Sequence, residues 1–202
     1  MRITKIDNVA SVPIWFAVLA TTCSCFGASE RRNPNVERVE SAEYNFSVAF
    51  PKGLRVCPSM SGDQVHGFVV RIGSTSSDCT KSRDADATIS VYAYSNATFE
   101  MTPEQELSGL CRPDTGDVNG DLAALAFPGF RSARCHAQNA DGSTNVYVVT
   151  QAGRWPGMGN SPESGAPYIN YTAALHTFDN RITRDLDLFR KVLGSVQIGY
   201  EK

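Results

Sequence analysis

The chain is poor in the residues that perform acid–base and nucleophilic work. Its 202 residues include three histidines, His66, His136 and His176. No G-x-S-x-G elbow is present, which excludes the usual local signature of an α/β-type serine hydrolase. There is no C-x2-C pair and no paired His, which removes the ordinary spacings of a structural zinc site. The formal net charge is −2 and no run of like charge occurs, so nothing marks a surface for nucleic acid or anionic membrane. No apolar run reaches the roughly 20 residues that a membrane-spanning helix needs. Internal repeats and low-complexity tracts are also missing.

What is present begins with an address. Arg2 and Lys5 form a short basic start, an apolar run extends from Val9 to Ala20, and Gly27 and Ala28 close the segment with small residues. That is the layout of a secretory signal peptide, so residues 1–28 are expected to be removed on export to the periplasm or the cell exterior. The remaining 174 residues suffice for one domain with a sizeable core, and carry 17 basic against 20 acidic residues, a net charge of −3. Cys23 and Cys25 raise lipidation as a second expectation, because bacterial lipoproteins are cut just before a lipid-bearing cysteine. Neither is preceded by the usual Leu-(Ala/Ser)-(Gly/Ala) run, and simple cleavage near Gly27 or Ala28 is the alternative. A membrane contact follows only from lipid on one of these two cysteines.

Four cysteines remain, Cys57, Cys79, Cys111 and Cys135. An even number in an exported chain reads as two disulfides with three possible pairings. Proximity in sequence favours Cys57–Cys79 and Cys111–Cys135.

The organisation expected is a polar linker over 29–42 and a single domain over 43–202. Tyr44, Phe46, Val48 and Phe50 alternate with smaller or polar residues, the period of a half-buried strand, which Pro51 and Gly53 end. Further strands are expected over Val65–Ile72, Thr88–Tyr94, Ser132–Gln138, Thr144–Gln151 and Tyr168–His176. Asp141-Gly142 supplies the positive-φ position of a hairpin. Thr102-Pro103-Glu104-Gln105 combines a capping Thr, a Pro at the first helical position and a Gln three residues after the cap. A helix should therefore run from Pro103 to about Cys111. Ile182, Leu186, Phe189, Leu193 and Val196 recur at helical spacing, with Arg184, Asp187 and Arg190 facing away. The fold class is α+β: a mainly antiparallel sheet of about six strands backed by helices and stapled by two disulfides.

The run Tyr44-x-Phe46-x-Val48-x-Phe50-Pro51, two more strands, a capped helix, a hairpin and a closing Phe189-x-x-x-Leu193-x-Ser195-Val196 resemble the PsbP-like domains of bacterial envelope and photosynthetic proteins. The likeness covers most of the mature chain in layout and these short runs in residues. It implies an αβα sandwich used mainly for binding, and it transfers no site residue.

Candidate chemistry is sparse. Each histidine falls in an expected strand, where a packed or half-exposed residue is the ordinary outcome. His66 stands out because Gly67 beside it permits close approach by another group. Glu104 and Glu106 fall in the first turn of a helix, where the helix dipole favours acids anyway. Asp114, Asp117 and Asp121 surround Asn119-Gly120 but lack the closing Glu of an EF-hand calcium loop, and Asx and Gly make turns for their own reasons. No cofactor and no metal are expected. Sequons occur at Asn45, Asn96 and Asn170.

The segment Gly153–Pro167 holds four Gly and three Pro in fifteen residues, with Arg154, Trp155 and Met158. Loops this long inside a compact domain are either functional or disordered, and Trp and Arg are enriched at binding hot spots. Arg154, Trp155 and Met158 are accordingly the candidate partner-binding residues. The leading expectation is a non-enzymatic exported binding module for a protein partner, of inhibitor or immunity type. The alternatives are an envelope hydrolase built around His66 or His136, and a lipid-anchored structural factor of the envelope.

Overall fold

A computed structural model describes residues 35–61, 64–75, 79, 85–96, 101–111, 120–154 and 168–199. The signal segment, Cys23 and Cys25 lie outside the described residues.

Among the described residues, nine strands and two α-helices follow in the order β1 (Val36–Ser41), β2 (Phe46–Pro51), β3 (Val56–Ser61), β4 (Gln64–Ile72), β5 (Ala87–Asn96), α1 (Pro103–Leu110), β6 (Ser132–Gln138), β7 (Ser143–Arg154), β8 (Tyr168–Phe178), α2 (Ile182–Gly194) and β9 (Gln197–Ile198). They build a six-stranded sheet, β3-β4-β5-β8-β7-β6, and a three-stranded sheet, β1-β2-β9, antiparallel throughout. The α+β class is as the sequence implies. The second, smaller sheet is an addition.

The large sheet has two unlike faces. On one, Phe68, Val70, Ile89, Val91, Ala93, Val146, Val148, Ile169, Tyr171, Ala173 and Leu175 are buried. Phe46 of β2 meets Phe68 and Tyr171 edge-on, at ring-centroid distances of 6.0 and 5.8 Å. Leu186, Phe189, Val192 and Leu193 of α2 complete this core. The opposite face carries Ser90, Tyr92 and Tyr94 of β5 and the alternate residues of β7 and β8. There α1 lies across β6 and β7. Helices thus flank both faces, the layering that the resemblance implies.

The linker expectation needs correction. Val36–Ser41 is a strand, paired with β2 from Val36↔Pro51 to Ser41↔Phe46. Its charged side chains hid it: β1 is an edge strand, and only Ser41 is buried. Ser41 Oγ donates to the Val65 carbonyl at 2.7 Å and fastens β1 to β4. Strand β3 also escaped the pattern because Pro58 interrupts it. As an edge strand it has one partner, so a residue without an N–H is tolerated there.

Both disulfides form as expected, Cys57–Cys79 and Cys111–Cys135, with Cα separations of 5.6 and 6.1 Å. Cys57 and Cys135 end a single cross-sheet row: Cys57↔Val69↔Ser90↔Ala174↔Tyr147↔Cys135. Each bridge therefore holds one outermost strand on the same face. Disulfides persist in oxidising compartments, and this is the compartment in which the chain is stable as described. No helix among the described residues is long and apolar enough to cross a membrane.

Candidate functional site

The long loop that the sequence singles out springs from the hairpin of β7 and β8. Its root is closed by the pair Arg154↔Tyr168, next to a bulge between Ala152 and Arg154 where Gly153 adopts a φ of 64°. The side chains of Arg154, Trp155 and Met158 lie outside the described residues, as do Asp114 and Asp117 and the Asp121 side chain. What surrounds the root is described.

Helix α1 starts beside it. Thr102 Oγ1 accepts from the Gln105 amide at 3.2 Å, and Gln105 Oε1 accepts from the Thr102 amide at 2.7 Å, a complete capping box. Gln151 Nε2 on β7 donates to the Met101 carbonyl at 2.6 Å and ties the helix start to the loop root. Met101 and Tyr168 are 40% and 39% exposed, large for apolar and aromatic side chains. Both sit at the end of the sheet from which the loop leaves.

Beneath α1 lies a polar cluster that sequence reasoning missed. Glu106 is buried, and its carboxylate accepts from Asn170 Nδ2 and, at 3.3 Å, from Thr172 Oγ1, both on β8. Burial, then the hydrogen bond to Glu106, pushes the Tyr94 phenol above its ordinary range. Tyr92 shifts the same way, from burial and then the Glu106 charge. Both phenols stay protonated at neutral pH. Tyr92 and Tyr94 stack at a centroid distance of 6.2 Å. Asn170 is 1% exposed, so its sequon carries no glycan in the folded protein. Glu104, two residues from Glu106, is exposed and pairs with Arg131 at 3.3 Å. Its own backbone amide, with Thr102 and Arg131 adding to it, holds its carboxyl below the usual range. The two acids point to different environments, and they do not form the facing pair that glycoside hydrolysis needs.

The three histidines stand far apart in role. His66 Nδ1 lies 3.0 Å from the Tyr44 hydroxyl. Tyr44 is 2% exposed, and burial followed by the Glu43 charge pushes its phenol up to about 12. A phenol held protonated to that degree is a poor nucleophile, so the pair reads as packing. The close approach expected at Gly67 is real, but its occupant is strand β5 at Val91 and Tyr92. His176 Nδ1 lies 2.8 Å from Asn145 Oδ1 across β7 and β8. His136 is 5% exposed and lines a cavity of about 250 Å³ between α2 and the β6–β7 edge.

No family model and no curated protein matches the sequence. Among solved structures, the chain is similar to cyanobacterial PsbP from Synechocystis sp. PCC 6803. The identity is 13% and the TM-score 0.39, over 81% of this chain and 92% of that one. Likeness at that level transfers no residue and no activity.

Proposed function

We propose that this chain is a non-enzymatic, exported binding module that recognises a protein partner at the α1 and β7–β8 end of its large sheet. Met101 and Tyr168, both exposed near the loop root, carry this reading. Monomeric surfaces scatter single apolar side chains, but these two stand at the end of the sheet where the segment carrying Trp155 and Met158 begins. The scaffold beneath is rigid: α1 is capped, bonded to Gln151 and fixed through Cys111 to β6. Loops positioned by such frames carry a disproportionate share of binding residues. An inhibitor or immunity role in the periplasm or outside the cell suits a stapled domain of this kind.

The test is affinity capture by the oxidised mature protein from extracts of its own source and of competing microbes. One stoichiometric protein should be retained. Trp155→Ala, with the fold intact, should weaken it by about 1–2 kcal/mol or more, about 5- to 30-fold in Kd. Equal retention by the variant removes the loop from the recognition surface.

A further inference from the structure

The cavity beside α2 belongs to neither the loop nor the α1 patch. It opens on the core-side face, at the opposite layer of the sheet from Glu106. Its walls are apolar: Leu122 from the 3-10 turn Gly120–Ala124, Val146 from β7, and Ile182 and Leu186 from α2. A dry apolar cavity of about 150 Å³ is enough to hold one benzene ring. At about 250 Å³ this one takes a ring and a few further atoms.

The polar lining decides what kind. Asp179 sits at the rim with both carboxylate oxygens served by neutral donors, Oδ2 by Gln138 Nε2 and Oδ1 by Thr144 Oγ1, each at 2.9 Å. Arg190, also on the lining, gives Nη1 to Asp187 Oδ1 at 2.8 Å. Arg190 is thus matched by Asp187, and Asp179, met by neutral donors alone, leaves the rim one net negative charge that opposes an anion. An anionic ligand would lose its hydration there beside a like charge. His136 and Thr144 are the buried polar side chains of the wall; the Thr144 hydroxyl is given to Asp179, and the His136 imidazole both donates and accepts.

We propose that this cavity is a binding site for a single-ring compound that carries a hydroxyl group and no negative charge, seated between Val146 and Leu186 with its hydroxyl towards His136. Apolar pockets with a few convergent polar groups are the usual form of small-molecule sites. This site does not depend on the partner surface, and either reading stands if the other fails.

The experiment is titration of the isotopically labelled, oxidised protein with phenol, and in parallel with benzoate, read by backbone amide shifts. Phenol should produce saturable shifts centred on residues 136, 146, 182 and 186, with a dissociation constant in the high-micromolar to millimolar range. Benzoate, the same ring with a charge, should bind at least about tenfold more weakly. Thr183 is exposed on α2 and lines the cavity, so Thr183→Trp should intrude on it and abolish the shifts without touching the core. Non-saturable shifts, shifts centred elsewhere, or benzoate binding as tightly as phenol would each overturn the proposal. The wild-type titration decides these three outcomes without the variant.

Discussion

Gly67→Ala should cost more than about 3 kcal/mol and lower the melting temperature by roughly 10 °C. Gly67 lies in β4 opposite Tyr92 of β5, and opposite Ser59 of β3, where the register shifts at Met60. A Cβ built there would meet the Val91 carbonyl oxygen and the Tyr92 Cβ and Cα, the latter two at 2.5 and 2.6 Å. None of these atoms is the far end of a flexible side chain. The strand must shift, and with it the central pairing of the sheet. Gly109→Ala in α1 is the matched control: a Cβ there meets nothing within 4 Å. Removing a helical glycine should stabilise by about 0.5–1 kcal/mol. Thermal unfolding of the two variants should therefore move in opposite directions. A Gly67→Ala protein as stable as wild type would mean that β4 and β5 are not in this register.

Loss of the two disulfides should be the second large effect. The bridged residues are 22 and 24 apart. By the chain-entropy model each bridge then contributes about 3 kcal/mol, a mechanism that calorimetric accounts dispute. Together they rival the whole stability of an ordinary domain, about 5–15 kcal/mol. The structure also separates their local effects. Cys111→Ser with Cys135→Ser frees the end of α1 from β6, so amide exchange should quicken first in α1, over the buried Glu106. Cys57→Ser with Cys79→Ser frees the β3 edge at the other side of the sheet. Calorimetry of each double variant and of the reduced protein measures the sum, and hydrogen exchange measures the place. An unchanged melting temperature on reduction would contradict both.

How much of this was legible in the sequence depended on whether a residue's role is local. The capping box at Thr102 and Gln105 and the Gly142 hairpin were readable because their chemistry is complete within a few residues. In the hairpin, Gly142 takes a φ of 79° while Asp141 Oδ1 accepts from the Ser143 amide at 3.0 Å. The core strands were readable for a related reason: burial on one face imposes the period of two at Ile89, Val91 and Ala93. Edge strands impose less, so β1, with Glu37, Arg38 and Glu40, looked like linker, and Pro58 masked β3.

Buried acids were the other failure. Asp185 falls on the apolar stripe of α2 and is 1% exposed. It accepts from Thr177 Oγ1 at 2.6 Å, Arg181 Nε at 3.3 Å and Arg184 Nε at 3.2 Å. Removing one partner of such a group leaves an uncompensated charge, which is why it anchors the helix start. Glu106 was read through the helix dipole, although its partners Asn170 and Thr172 lie more than sixty residues away. Only its place one residue before the buried Leu107 hinted at an inward face. The candidate site shared this limit. Composition pointed to Trp155 and Arg154, but the exposed Met101 and Tyr168 come to the loop root only once β7, β8 and α1 are assembled.

The most direct test of the account is amide hydrogen exchange of the oxidised protein with and without its captured partner. New protection should concentrate at the α1 start around Met101 and at the β7–β8 root around Arg154 and Tyr168, leaving β3 and its exposed Met60 unchanged. Protection centred on β3 or on the far end of the sheet, with the α1 end untouched, would contradict the placement of the recognition surface.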